Sequence, residues 1–168
     1  MYSLLCPRLI VSSLQDINID KLIGNGIRGI VFDLDNTIIP WDSPQMGPIE
    51  TDVIKELIKK NLKICLVSNN RNKRVKEIAG LFNVPFISRA YKPAKSGFRR
   101  AALIMELAPK EVAVIGDQLY TDILGGNRLG MYTIWVKPLT SREFIGTKVT
   151  RQLEKLTVRI LKAKGLIK

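Results

Sequence analysis

The sequence predicts an α/β fold in which a doubly wound, Rossmann-like parallel sheet lies between two layers of helices. Five short runs of apolar, largely β-branched residues are typical of strands buried on both faces. Segments with apolar residues at helical spacing separate these runs, and such alternation is typical of a parallel sheet with crossover helices. The length of 168 residues, 46% of them hydrophobic, suits a single domain over residues 1–168 with its core at about residues 29–136.

Five predicted strands and four predicted helices alternate through this core. The strands are Gly29–Phe32, Leu62–Val67, Val84–Ile87, Val112–Ile115 and Tyr132–Val136, and the helical patterns cover about residues 49–58, 75–82, 98–105 and 120–129. Pro48 suits the first turn of the first helix, where its missing N–H group is not needed. Gly130 suits the end of the fourth helix, because glycine readily adopts the left-handed backbone of a C-terminal cap.

Two further helices are predicted outside the core. A short helix over residues 18–26, capped by Asn18 or Asp20, leads into the first strand. The other, over residues 147–164, is amphipathic and basic. Its apolar positions are Val149, Leu153, Leu156 and Ile160, and its other face carries Arg151, Glu154, Lys155, Arg159 and Lys162. Such a helix either packs on its own domain or binds a membrane surface or a partner.

The absence of histidine is the most informative feature of the composition. It excludes Ser-His-Asp and Cys-His catalysis, the H-E-x-x-H metalloproteases and every other site that needs an imidazole base. Carboxylates, lysines, hydroxyls or backbone groups must therefore carry any chemistry. Two cysteines are too few for a disulfide framework, and no apolar run approaches the roughly 18 residues of a membrane span, so we expect a cytoplasmic protein.

Positive charge is concentrated in two segments. The chain has 27 Lys and Arg against 15 Asp and Glu, a net charge of +12. Residues 71–100 hold nine basic groups and one acidic group, and residues 142–168 hold eight and two. Either these segments are ordinary solvated surface, or they attract an anionic partner such as a phosphate ester, a nucleic acid or an acidic membrane.

Four polar clusters follow four of the predicted strands. They are Asp33-Leu34-Asp35-Asn36-Thr37, Ser68-Asn69-Asn70, Tyr91-Lys92-Pro93, and Gly116-Asp117 with Asp122. Ligands of open α/β sheets bind outside the carboxyl ends of the strands, so we expect the four clusters to meet in one site. Each residue alone has a structural explanation as a turn residue, a helix cap or a surface charge. Together they place several acids beside apolar strands, which needs a cation to be stable.

In this order and spacing the clusters resemble the four motifs of the haloacid-dehalogenase (HAD) superfamily of phosphatases, over about residues 29–136. The first motif corresponds to the D-x-D-N-T run from Asp33 to Thr37, the second to Ser68, the third to Lys92-Pro93 and the fourth to the G-D-x-x-x-x-D run from Gly116 to Asp122. The resemblance implies a phosphomonoester hydrolase.

The resemblance also implies catalytic roles. Asp33 would attack phosphorus and become an aspartyl phosphate, and Asp35 would protonate the leaving oxygen and then activate water. Dehalogenases and phosphonatases of this fold lack an acid at the position of Asp35, so hydrolysis of a phosphate ester is expected, with a mutase as the second alternative. Ser68 would bind phosphoryl oxygens, and Lys92 would neutralise the nucleophile and the phosphate.

The remaining motif residues would bind the substrate and a metal ion. The expected substrate-binding residues are Thr37, Asn69 and Asn70, and the expected ligands of Mg²⁺ are Asp33, Asp35 and Asp117. Oxygen donors alone suit Mg²⁺ better than zinc. Asp122 would orient a metal-bound water or Lys92, or merely cap the helix.

The motif spacing leaves no room for a cap domain. Ser68 lies only 35 positions after Asp33, and Lys92 lies 24 positions after Ser68. One helix and one strand occupy most of each interval. The site should therefore be open, which suits a substrate too large to enclose.

Finer details resemble the small bacterial relatives of the mitochondrial-type phosphatidylglycerophosphate phosphatases. These details are Pro7, the short helix before the first strand, the D-L-D-N-T form of the first motif, and Trp41. They would imply a lipid headgroup as substrate and peripheral contact with an anionic membrane at its inner face. The alternatives are a nucleic-acid-end or protein phosphatase of the same mechanism, or a non-catalytic basic module that binds RNA. No aromatic-rich nucleic-acid motif favours the RNA-binding module.

Overall fold

A computed structural model describes residues 2–141 and 145–167, apart from the side chains of residues 72 and 145–149. The strands in these ranges are β1 (Leu9–Val11), β2 (Gly29–Phe32), β3 (Lys63–Val67), β4 (Phe86–Ile87), β5 (Val112–Gly116) and β6 (Tyr132–Val136). They form one sheet in the order β1-β6-β5-β2-β3-β4, and every neighbouring pair is parallel. The predicted doubly wound parallel sheet is therefore confirmed.

The helices of the described ranges follow the strands in alternation. They are α1 (Ile19–Gly24), α2 (Pro48–Lys59), α3 (Asn72–Phe82), α4 (Lys95–Ile104), α5 (Leu124–Asn127) and α6 (Ile145–Ala163). As predicted, α2 begins at Pro48, and the Asn18 side chain caps α1 by accepting a hydrogen bond of 2.8 Å from Lys21 N. Gly130 has a left-handed backbone with φ of 73° and ends the segment after α5.

Alternate side chains of each strand point to two helical layers, because successive residues of a strand face opposite sides of the sheet. On one face, Phe32 of β2 packs in a core that includes Leu57 of α2 and Val75 of α3. On the other face, Val31 of β2 belongs to a core that includes Phe98 of α4. The three-layer arrangement follows from these two cores.

Two elements differ from the prediction. Residues 9–11, where no strand was predicted, form β1 and pair with β6, with Leu9 opposite Ile134. Three residues are too few to show a strand pattern in the sequence. The helix expected over residues 120–129 begins as a π-helical turn, Leu119–Ile123, and is α-helical only in α5.

The C-terminal helix α6 is present, but its packing face is not the predicted apolar one. Glu154 and Thr157 are buried, whereas Leu153 and Leu156 are 54% and 55% exposed. The side chain of Val149 lies outside the described residues. The polar face can be buried because Glu154 and Thr157 find hydrogen-bond partners in the π-helical turn. Among the described helices, none is long and apolar enough to cross a membrane.

Candidate active site

The reversal of strand order around β2 brings two predicted site acids together. β2 lies between β3 and β5, and Phe32 is paired with Ile115. Asp33 follows β2 and Asp117 follows β5, so both carboxylates leave the sheet at the same edge. The Thr37 hydroxyl lies 3.3 Å from Asp33 Oδ2 and 3.3 Å from Asp117 Oδ1. Thr37, which was expected to bind substrate, is fully buried, and its hydroxyl lies between the two carboxylates.

Lys92 is the cation that joins the acids. Its Nζ forms one ion pair with Asp33 Oδ1 and a second, at 2.7 Å, with Asp122 Oδ1. Burial alone would lower the pKa of the Lys92 ammonium group, but the carboxylates of Asp122 and Asp33 outweigh it and raise the pKa. Asn69 holds the lysine backbone, accepting a hydrogen bond from Lys92 N at 2.7 Å and donating one to Lys92 O at 3.3 Å. Lys92 is therefore charged and fixed in position.

Asp122 fits against the glycine that ends β5. A Cβ atom at Gly116 would lie 2.4 Å from Asp122 Cγ, so a side chain there would displace the carboxylate. Gln118 N donates a hydrogen bond of 3.2 Å to Asp122 Oδ2. Burial raises the pKa of Asp122 to about 6, although Lys92 opposes the shift. The ion pair with Lys92 corresponds to one of the roles that the sequence left open for Asp122.

Asp35 occupies the outer part of the site. Its Oδ2 accepts a hydrogen bond of 2.7 Å from Asn70 Nδ2, and its Oδ1 lies 3.2 Å from Arg74 Nε. Burial, and then the negative charge of Asp33, raise the pKa of Asp35, while Arg74 opposes the shift. Arg74 also donates a hydrogen bond of 2.7 Å to Pro40 O. Arg74 could not be distinguished in the sequence, because it is one of nine basic residues in its segment.

The predicted catalytic side chains line one cleft of about 440 Å³. Its lining consists of Asp33, Asp35, Trp41, Ser68, Asn69, Asn70, Lys92, Gln118 and Thr121. Ser68 is buried at the end of β3, and its hydroxyl accepts a hydrogen bond of 3.0 Å from Asn70 N. Gln118 and Thr121 were not predicted from the sequence, although they lie inside the fourth motif. The buried Thr121 hydroxyl has no hydrogen-bond partner among the described residues.

Three buried carboxylates can hold a divalent cation. One oxygen from each of Asp33, Asp117 and Asp122 lies within 4.8 Å of the other two. Carboxylate oxygens are the ligands that hard divalent cations prefer, so this donor set fits such an ion. The expected set contained Asp35 with Asp33 and Asp117, and it left Asp122 uncertain. The Asp35 carboxylate does not belong to this group, because it faces Arg74 at the mouth of the cleft.

The C-terminal helix reaches the acids, which the sequence analysis did not predict. Arg151 donates one hydrogen bond to Asp117 Oδ2 and another, of 2.5 Å, to the main-chain oxygen of Asp117. Burial raises the pKa of the Asp117 carboxyl group, and the Arg151 guanidinium opposes the shift. Glu154 pairs with Arg151 at 2.8 Å and accepts a hydrogen bond of 2.6 Å from Leu119 N. Helix α6 is therefore attached to the acidic edge through Arg151 and Glu154.

The cleft is open, as expected from the motif spacing. The interval from Asp33 to Ser68 holds α2 and β3, and the interval from Ser68 to Lys92 holds α3 and β4. Both intervals lie within the described residues, and neither contains an inserted domain. A bulky substrate can therefore approach the acids from solvent.

Two family models match the chain in different parts. The mitochondrial PGP (phosphatidylglycerophosphate) phosphatase family matches residues 1–78, and a HAD-hydrolase-like family matches residues 90–143. The Bacillus subtilis protein named "Probable phosphatase YqeG" is 40% identical over 161 residues, covering 96% of this chain and 94% of that protein. The mitochondrial phosphatidylglycerophosphatase GEP4 of Saccharomyces cerevisiae is 32% identical over 152 residues, covering 80% and 79%.

The fold also resembles that of solved structures. The cobalt-bound deoxy-D-mannose-octulosonate 8-phosphate phosphatase of Haemophilus influenzae matches with a TM-score of 0.54 and 13% identity, over 86% of this chain and 92% of that chain. At this identity the likeness shows the fold alone.

The identities of 40% and 32% over most of both chains, together with the motif geometry, show the family. The chain therefore belongs to the haloacid-dehalogenase superfamily and is a phosphatase related to the phosphatidylglycerophosphate phosphatases.

Proposed function

We propose that the protein hydrolyses a phosphomonoester through an aspartyl-phosphate intermediate, with Mg²⁺ as cofactor. The observation that carries the proposal is the buried Lys92 ammonium group, which pairs with Asp33 beside a second carboxyl group, Asp35. A carboxylate repels a dianionic phosphate ester, so a carboxylate nucleophile needs positive charge at the point of attack. Lys92 supplies part of that charge.

The phosphoryl group would bind between Lys92 and the loop that follows β3. Ser68, Asn69 and Asn70 line this side of the cleft and offer hydroxyl, amide and backbone donors. The proposed role of Thr37 is to position the carboxylates of Asp33 and Asp117 rather than to contact the substrate.

In the proposed reaction, a carboxylate oxygen of Asp33 attacks phosphorus, the bond from phosphorus to the ester oxygen breaks, and Asp35 donates its proton to the leaving oxygen. Asp35 then takes a proton from water as the water oxygen attacks the aspartyl phosphate. The bond from phosphorus to Asp33 breaks, which restores the carboxylate and releases inorganic phosphate. The raised pKa of Asp35 supports its role as the proton donor.

The proposed metal ligands are the carboxylates of Asp33, Asp117 and Asp122. When bound, the divalent cation supplies positive charge that reduces the repulsion between the nucleophile and the substrate. Mg²⁺ is proposed because all three donors are carboxylate oxygens. The Haemophilus influenzae phosphatase of similar fold binds cobalt, so Co²⁺ belongs among the metal ions tested.

The proposed substrate is a lipid phosphomonoester of the phosphatidylglycerophosphate type. The names of the related proteins, the open cleft and the basic segment 71–100 support this choice. An open site can take a headgroup that remains anchored in a membrane, and positive charge attracts an anionic membrane surface. The protein would then act as a peripheral protein on the membrane.

The catalytic proposal is tested with p-nitrophenyl phosphate and Mg²⁺. Asp33→Asn should lose activity by at least about 100-fold, because an amide cannot act as the nucleophile. Asp35→Asn should accumulate a phosphoenzyme that acid quenching traps. Asp42→Asn, an exposed change in the same loop, is the matched control and should remain active. More than about a tenth of wild-type activity in Asp33→Asn would contradict the mechanism.

The substrate proposal is tested by comparing kcat/KM on three phosphomonoesters: phosphatidylglycerophosphate in mixed micelles, a 5′-phosphorylated oligonucleotide and a phosphopeptide. We expect the lipid to be preferred by at least about tenfold, since only the lipid engages both the cleft and an interface. Preference for the oligonucleotide or the phosphopeptide would reject the lipid assignment while leaving the catalytic proposal intact.

A further inference from the structure

Three exposed apolar side chains lie on segments that border the cleft. Trp41 lines the cleft and is 39% exposed. Tyr91 directly precedes Lys92 and is 74% exposed, and Leu139, whose N donates to Asn36 O, is 37% exposed. We call Trp41, Tyr91 and Leu139 the rim. Exposed apolar side chains are common on protein surfaces, but a group of them beside a ligand cleft is typical of an interaction site.

The backbone around the rim holds these side chains in place. Asn36 has a left-handed backbone with φ of 60°, and its Oδ1 accepts hydrogen bonds from Trp41 N at 3.1 Å and from the Thr140 hydroxyl at 3.2 Å. Asn36 thereby ties the Trp41 loop to the segment that carries Leu139. Tyr91 also has a left-handed backbone, with φ of 53°, which is unfavourable for an aromatic residue. The fold therefore presents the rim at an energetic cost.

Exposed cations lie around the same edge of the sheet. Arg71 and Lys73 line a groove of about 460 Å³ that shares Asn70 with the cleft. Lys95 begins α4, three residues after Lys92, and is also exposed. A surface that combines tryptophan and tyrosine with lysine and arginine matches the interface of an anionic bilayer, where aromatic rings lie at the headgroups and cations meet lipid phosphates.

We infer that the rim is the surface through which the protein docks on an anionic phospholipid bilayer, with the catalytic cleft facing the lipid. This inference rests on the proposed lipid substrate and names the surface that brings the cleft to the lipid. The alternative docking surface, the exposed Leu153 and Leu156 of α6, lies on a helix whose described side chains, from residue 150 onward, do not line the cleft. Docking through the rim places the mouth directly above the lipid headgroups, where a phosphomonoester can reach Asp33 without leaving the bilayer.

The first test uses the fluorescence of Trp41. The chain has two tryptophans, so Trp135→Phe leaves Trp41 as the sole reporter. Vesicles of phosphatidylglycerol and phosphatidylcholine should shift its emission to shorter wavelength and protect it from iodide, and vesicles of phosphatidylcholine alone should not. Raising the salt from 0.1 M should reverse the shift, because the surface potential acts over a Debye length of about 10 Å. Unchanged emission in vesicles that bind the protein would overturn the inference.

The second test keeps both tryptophans and measures sedimentation with the same vesicles. The rim variant combines Tyr91→Asn, chosen because asparagine tolerates a left-handed backbone, with Leu139→Ser. It should bind vesicles at least about tenfold more weakly, because two side chains that enter the interface are lost. Its hydrolysis of p-nitrophenyl phosphate should fall much less than its vesicle binding, since that substrate is soluble. If the wild-type protein itself does not hydrolyse p-nitrophenyl phosphate, that result counts against the proposed function.

Two matched variants complete the second test. Leu81→Ser with Leu103→Ser removes two exposed leucines at the opposite edge of the sheet and should bind vesicles like the wild type. Leu153→Ser with Leu156→Ser removes two exposed leucines of α6 and should also bind vesicles like the wild type. Wild-type binding by the rim variant, or loss of binding confined to the α6 variant, would overturn the inference.

Discussion

The strongest prediction concerns Arg151, which lies outside all four sequence motifs. Its guanidinium is the cation nearest to the fully buried Asp117 carboxylate among the contacts described, and its side chain is only 14% exposed. Arg151→Met keeps most of the apolar length of the side chain and removes the charge. Asp117 would then be a buried carboxylate without its partner, and Glu154 would lose an ion pair of 2.8 Å.

The magnitude follows from the burial of this pair. Removing one partner of a buried ion pair costs about 3–5 kcal/mol. The residual exposure of Arg151 and the raised pKa of Asp117, which lets the carboxyl group take up a proton, favour the lower end, about 3 kcal/mol. With a urea m-value of about 2 kcal/mol/M, the midpoint of unfolding should fall by about 1.5 M.

The assay is urea unfolding followed by circular dichroism in EDTA, so that no divalent cation replaces the lost charge. Arg159→Met, an exposed change on the same helix, is the control and should shift stability by less than about 0.5 kcal/mol. Arg151→Lys keeps a positive charge but cannot make both contacts, so its loss should be intermediate. A loss below about 1 kcal/mol in Arg151→Met would refute the role of Arg151 as the partner of Asp117.

Three further outcomes are expected. EDTA should abolish hydrolysis of p-nitrophenyl phosphate, and Mg²⁺ should restore it. Ca²⁺ should inhibit the reaction because it takes more ligands at longer distances. Full activity in EDTA would contradict the metal assignment. Gly116→Ala should lower kcat for p-nitrophenyl phosphate about 100-fold at unchanged secondary structure, because the new Cβ displaces Asp122. A kcat equal to that of the wild type would show that the position of Asp122 is unimportant. Thr121→Val should leave thermal stability unchanged, because the hydroxyl has no partner in the described structure, and should raise KM; an unchanged KM would exclude substrate contact.

Much of the fold and of the site could be predicted from local sequence patterns. Apolar runs such as Gly29–Phe32 identify strands buried on both faces, and the helical spacing between them identifies the crossovers. Because parallel strands share one carboxyl edge, the acids after the strands had to meet there. The structure brings Asp33, Ser68 and Lys92 to one cleft for this reason.

Other features depend on contacts between distant segments, and local patterns do not encode them. β1 is recognisable only through its pairing with β6, because three residues carry too little periodicity. The apolar stripe of α6 indicates that Leu153 faces the core, yet the helix buries Glu154 instead. The reason is that the π-helical turn after β5 leaves backbone N–H groups that need an acceptor, and Asp117 needs a cation.

The sequence by itself determined which residues meet, because the motif spacing and the parallel sheet together bring Asp33, Lys92 and Asp117 to one edge. Only the tertiary structure decided which basic side chain pairs with which carboxylate. It pairs Lys92 with Asp122, Arg74 with Asp35, and Arg151 with Asp117. Charged side chains reach their partners through space and have no periodic pattern, so the choice of partner depends on the packing of helices that lie far apart in the chain.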